Sequence, residues 1–294
     1  MRAIHAAVVL VFALVVAHGA SGASMASRFI VFSGLPNGIA PAQLFRVETT
    51  GTGLQQITTG SKPASEPAFT PNGTQIVFAR LGAGIFRVNL DGTGLHRLTH
   101  GVRDNYPVMS PNGKRIAFIR PYRTQWRVYV MSGSGSGLRR LPQAPPAGRP
   151  SWTADGKAIF IPAGGSLARI DAGNGRVQKY LGVTLDPSSG ATATISPDAR
   201  RIAFIGRRIN NGPPDCGESQ CPAYALYLSE LSGKHKRRLA IDTGPAGWSP
   251  DGKTVVFVSK GVLTLEIVAG GARTTIASGP HVAAGDAPPA WQPR

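Results

Sequence analysis

Large apolar side chains recur in this chain with two periods at once. Over short distances they alternate, as in the pairs Ile76 and Phe78, Ile116 and Phe118, Ile159 and Ile161, Ile202 and Phe204, and Val255 and Phe257. A spacing of two puts both members of a pair on one face of a strand. Over longer distances the segments holding these pairs return: PAFTPNGTQIVFAR (67–80), PVMSPNGKRIAFIR (107–120), PSWTADGKAIFIP (150–162), ATISPDARRIAFIG (193–206) and AGWSPDGKTVVFVS (246–259). Aligned on Pro71, Pro111, Ala154, Pro197 and Pro250, they lie 40, 43, 43 and 53 residues apart. A half-match, PAWQPR, sets Pro293 another 43 residues on.

Each aligned column has a physical task. Two residues before the anchor stand Phe69, Met109, Trp152, Ile195, Trp248 and Trp291, all large and apolar. After it come Asn72, Asn112, Asp155, Asp198 and Asp251, then Gly73, Gly113, Gly156 and Gly252, with Ala199 the exception. Proline presets φ for a turn, Asn or Asp bonds nearby backbone, and Gly accepts positive φ. Each unit therefore opens strand, turn, strand.

Two weaker alternating stretches complete the unit. The third strands are IFRVNL (85–90), WRVYVM (126–131), SLARID (166–171), YALYLS (224–229) and VLTLEIV (262–268). The fourth are LHRLT (95–99), LRRLP (138–142), VQKYL (177–181), KRRLA (236–240) and ARTTI (272–276). Four short strands per unit of about 43 residues mark a β-propeller blade, because one such sheet cannot bury both its faces alone. Residues 28–60 supply second, third and fourth strands without a first, and PAWQPR supplies a first strand without the rest. The pattern thus predicts an all-β, six-bladed propeller with four antiparallel strands per blade. A C-terminal strand joins the N-terminal blade and closes the ring.

The repeated [PA]-x-W-[ST]-P-[DN]-G-x-x-I-A-F, followed by L-x-V-x-x-x-G-x-G-x-x-R-L-T, resembles the WD40-like repeat of TolB-type β-propellers over essentially residues 28–294. The Gly-His and Trp-Asp signatures of true WD40 repeats and the sialidase Asp-box do not occur in it. The resemblance implies a periplasmic propeller that docks an envelope lipoprotein. TolB proteins carry an α/β domain ahead of the propeller; here blade strands begin directly after the leader, so TolB's own role is not the expectation.

Composition sharpens this picture. With 37 Gly and 24 Pro among 294 residues, long helices are excluded. Ala6–Ala17 is an uncharged apolar run behind Arg2, followed by small residues from Gly19 to Ala26. That arrangement predicts a secretory signal peptide over 1–23 and a mature propeller over 24–294, an uncleaved anchor being the alternative. In an exported chain, Cys216 and Cys221 within GPPDCGESQCPAY are expected to form a disulfide. The formal charge of +17 is spread over the fourth strands (Arg97, Arg139, Arg140, Lys179, Lys236, Arg237, Arg238, Arg273). Positive charge there guards exposed blade edges, which argues against nucleic acid as a partner. An anionic cell-wall polymer or a membrane surface remains a secondary partner.

Catalytic and metal signatures are not legible: His96, His100, His235 and His281 recur at no ligand spacing, and H-E-x-x-H and G-x-S-x-G motifs do not occur. No cofactor is expected. The residues just ahead of each inner strand lie near the propeller axis and differ between blades: Glu66, Asp104, Asn105, Tyr106, Arg149, Asp242 and Asp286. They are the candidate partner-binding rim, with Asp104, Asn105 and Tyr106 the richest cluster. The expected protein is a monomeric, non-catalytic propeller, secreted, periplasmic or envelope-associated, that binds a protein or cell-envelope component. The rival readings are a propeller hydrolase, lactonase or lyase with an axial site, and an accessory propeller of a peptidase or envelope transport system.

Overall fold

A computed structural model describes residues 28–39, 41–185, 192–207, 224–241, 243–279, 281–282 and 287–293. The leader expected over 1–23, the Cys216–Cys221 disulfide, Asp242 and Asp286 lie outside the described residues.

Strands β1 (Phe29–Gly34), β2 (Gln43–Glu48) and β3 (Gln55–Gln56) come first. Blade I follows with β4 (Ala64–Phe69), β5 (Gln75–Arg80), β6 (Gly84–Asn89) and β7 (His96–Arg97). Blade II holds β8 (Asn105–Met109), β9 (Arg115–Tyr122), β10 (Gln125–Ser132) and β11 (Arg139–Arg140). Blade III holds β12 (Ser151–Trp152), β13 (Ala158–Ala163), β14 (Ser166–Asp171) and β15 (Val177–Thr184). Blade IV holds β16 (Ala193–Ile195), β17 (Arg201–Arg207), β18 (Tyr224–Glu230) and β19 (Arg237–Ile241). Blade V holds β20 (Gly247–Trp248), β21 (Thr254–Ser259), β22 (Val262–Ile267) and β23 (Arg273–Ser278), and β24 (Ala290–Trp291) comes last. Strand β24 pairs antiparallel with β1, Ile30 opposite Trp291 and Val31 opposite Ala290, so the sixth sheet runs β24-β1-β2-β3. The architecture is a six-bladed β-propeller closed by this shared blade, here blade VI.

The periodicity explains how blades stack. Ile76 and Phe78 pack on blade VI, while Val77 and Ala79, pointing the other way, pack on Ile116 and Phe118 of blade II. The same exchange recurs around the ring: Ala117 meets Ile159 and Ile161, Phe160 meets Ile202 and Phe204, Ala203 meets Val255 and Phe257, and Val256 meets Ile30 and Phe32. Second strands are thus buried on both faces, which is why they read as nearly continuous apolar runs. Six inter-blade layers take the place of one central core.

The turn columns do what their chemistry requires. Asn72 Oδ1 accepts from Thr70 Oγ1 at 2.7 Å and the Thr74 N–H at 3.3 Å; Asp251 Oδ1 accepts from Ser249 Oγ at 2.6 Å and the Lys253 N–H at 3.0 Å. Gly73, Gly113, Gly156 and Gly252 take φ of 65–70°, and Ala199, the exception in that column, is forced to 53°. Rings are also stitched laterally. The Trp152 indole N–H donates to the Val108 carbonyl and that of Trp248 to Thr194, each at 3.1 Å, from one inner strand to its neighbour.

Candidate functional site

Antiparallel pairing gives the propeller two unlike faces. On one, which we term the crossover face, chains pass from an outer strand to the next inner strand. The opposite turn face carries the strand-to-strand turns built on the Asn or Asp column. Glu66, Asp104, Asn105, Tyr106 and Arg149, the rim residues that the structure describes, belong to the crossover side.

Two inner strands are deformed there. Register shifts break β4 between Ser65 and Ala68 and β8 between Asn105 and Val108. Within these bulges Glu66 and Tyr106, in the same column, take φ of 57° and 54°. Each precedes a proline, and such a left-handed conformation costs about 1–3 kcal/mol per residue. A bulge re-aims a side chain. Here it brings Glu66 of blade I to Arg149 of blade III, past blade II, as an ion pair between Arg149 Nη1 and Glu66 Oε2. Their side chains are only 3% and 6% exposed. The Arg149 guanidinium also lies 5.8 Å from the centre of the Tyr106 ring.

Asp104 is held differently. Arg120 grips it with two bonds, Nε to Oδ1 at 2.6 Å and Nη2 to Oδ2 at 2.8 Å, and Thr99 Oγ1 donates to Oδ2. The bond to Asp104 raises the Arg120 pKa above its ordinary value, against the opposing effect of burial. Asn105 accepts the Tyr106 N–H through its side-chain oxygen at 3.0 Å. The structure therefore brings Glu66, Tyr106 and Arg149 together at the axis and sets Asp104 into an internal clamp.

Beside this group a cleft of about 530 Å³ opens between blades II and III, lined by Asn105, Tyr106, Gln125, Trp126, Pro146 and Pro162 among others. Among the described residues, Tyr106 is its one titratable lining residue. The Arg103 guanidinium stacks 5.3 Å from the Trp126 ring, and Arg140 and Arg123 lie 4.3 and 5.7 Å from Tyr122. Trp126 and Gln125 were not singled out from the sequence. They belong to the hairpin between β9 and β10, which at eight residues per strand reaches further than its equivalents in blades I and III. That extra length was the available signal. Along the axis itself runs a channel of about 230 Å³, lined by inner-strand residues such as Ala68, Ser151, Gly247 and Trp248, together with Arg149. Among the described residues no three His, Cys, Asp or Glu side chains gather as a metal site, and no helix is long and apolar enough to cross a membrane.

These features define a TolB-like six-bladed propeller fold with an ion pair at the axis and an aromatic cleft beside it. Among solved structures the chain is similar to TolB from Acinetobacter baumannii, at TM-score 0.71 and 22% identity over 91% of this chain and 67% of that one. A chain assigned as TolB from Agrobacterium tumefaciens aligns at TM-score 0.60 and 16% identity over 90% of this chain and 94% of that one. An oligogalacturonate lyase from Vibrio parahaemolyticus aligns at TM-score 0.50 and 13% identity, covering 76% and 70%. No family model and no curated protein matches the sequence.

Proposed function

We propose that this chain is an exported, non-catalytic propeller of the cell envelope that binds a protein or envelope component through its crossover face. The observation that carries this reading is the 530 Å³ cleft, whose lining offers aromatic rings, amides and proline surface. That volume falls in the range of ordinary ligand pockets, and aromatic side chains with a few polar groups are what recognition surfaces use. Likeness to TolB propellers supports an envelope setting.

Site-directed photo-crosslinking tests it. A photoreactive residue at Gln125 should give one adduct of defined size in the producing cells, lost in Trp126→Ala, while the same group at exposed Tyr180 gives none. Equal labelling from both positions counts against the cleft. A second reading, action on an acidic oligosaccharide, draws on the likeness to the lyase and on the arginines stacked around Trp126 and Tyr122. Release of an unsaturated product from oligogalacturonate by purified protein would favour it over the first.

A further inference from the structure

On the turn face, opposite the rim, a second cleft of about 560 Å³ lies between blades I and II. Its charged lining residues are Arg87 and Lys114, accompanied by Asn72, Asn112, Ser132 and Ser134. Neither cation forms an ion pair with a described carboxylate. Arg87 is half-buried, and its Nη1 lies 3.5 Å from the Gly133 carbonyl.

The turn column decides what this cleft can hold. In blades III, IV and V the position after the anchor is Asp155, Asp198 and Asp251, so each turn sets a carboxylate beside its own cation, Lys157, Arg200 or Lys253. In blades I and II the same position is Asn72 and Asn112. Asn112 Oδ1 is consumed inside its turn by Ser110 Oγ at 2.8 Å and the Lys114 N–H at 3.1 Å, and Asn72 Oδ1 is consumed likewise by Thr70 and Thr74. What each asparagine still offers is its NH2 group, a pure donor. An aspartate there would still offer a second carboxylate oxygen, a charged acceptor. The exchange of Asp for Asn at the two turns that border the cleft turns a neutralised face into one of cations and donors.

We infer that this cleft is an oxyanion site for phosphate groups, free or carried along a linear polymer. Arg87 and Lys114 supply the charge, the asparagine amides and serine hydroxyls supply directed hydrogen bonds, and the volume admits more than one phosphate. The site stands apart from the crossover-face cleft, and failure of either reading leaves the other standing.

The test uses the full chain at low ionic strength, titrated calorimetrically with inorganic pyrophosphate and, separately, with long-chain polyphosphate. Both should bind; a tighter polymer, per phosphate, identifies a polymeric ligand, and equal affinities a free one. The double variant Asn72→Asp/Asn112→Asp keeps the turn, since Asp serves in the sister blades, and should weaken pyrophosphate binding about tenfold or more. Arg87→Gln/Lys114→Gln should do the same. Lys157→Gln/Lys253→Gln removes equal charge from turns bearing Asp and should change affinity less than about twofold. No binding to the wild-type chain overturns the inference. So does equal weakening by the sister-turn variant, which would reduce the effect to net charge.

Discussion

Glu66 and Arg149 are almost wholly removed from water, so each depends on the other for its charge to be tolerated at the axis. Removing one partner of a buried pair strands the other, which costs about 3–5 kcal/mol. Glu66→Gln leaves the backbone demand at φ 57° unchanged and isolates the charge. It should therefore lower the melting temperature by on the order of 10 °C. Glu66→Gln/Arg149→Met removes the stranded cation and should recover much of that loss. Thermal melts of the two variants check this, and a single variant as stable as wild type would show that the pair does not hold the mouth together. From the sequence, Glu66 and Arg149 both belong to the candidate partner-binding rim. Their column and their proximity to the axis were legible, but their mutual contact depends on the two bulges.

At the level of elements, the turns after the inner strands of blades III and IV carry a titration as well as a shape. The Thr153 hydroxyl and then the Lys157 N–H hold Asp155 below the ordinary aspartate value. At Asp198 burial pushes upward, but the Ser196 hydroxyl and the Arg200 N–H together outweigh it. An unfolded chain titrates its aspartates near 3.9, so in acid it binds protons that the folded turns refuse. Their contribution is fully present above about pH 4 and is lost as pH falls through the depressed folded values. Urea denaturation of wild type should show stability falling as the pH drops below about 4. In Asp155→Asn/Asp198→Asn the fall should be shallower, with the turns kept as they are in Asn72 and Asn112. An unaltered slope would rule these two groups out as its source. These turns were readable because their chemistry is local: anchor, Asn or Asp, and glycine act within five residues. The bulges at Glu66 and Tyr106 were not, since a neighbouring X-Pro pair, Arg149-Pro150, precedes an undisturbed strand. The cleft beside Trp126 was equally hidden, because its width depends on how far two blades splay at their hairpins.

Across the whole molecule, charge that reads as edge protection also makes contacts between blades. Arg237 and Arg273, from the outer strands of blades IV and V, converge on Glu266, whose side chain is 1% exposed, each at 2.9 Å. Arg139 crosses from blade II to the Gly173 carbonyl of blade III at 2.6 Å. The excess thus helps bind blades to one another, and the seam of blade VI has its own fastening. Gln292 accepts the Phe29 N–H through its side chain at 3.1 Å, returns its own N–H to the Phe29 carbonyl at 2.9 Å, and reaches Gly73 of blade I at 2.9 Å. The Trp291 indole packs against the layer between blades V and VI, yet its buried N–H has no partner among the described residues, unlike those of Trp152 and Trp248. The seam is therefore a bond poorer than the equivalent joints. Closure rests on the indole's apolar surface and on Gln292. A graded series should follow. Gln292→Ala should cost about 1 kcal/mol, and half-buried Trp291→Ala about 2–3 kcal/mol. Deleting Trp291–Arg294 should cost more than both together, because it also bares the edge of β1 to a second chain. Calorimetric melting with light scattering distinguishes the cases. An unchanged melting temperature in the truncated chain would mean that the ring does not depend on its shared blade.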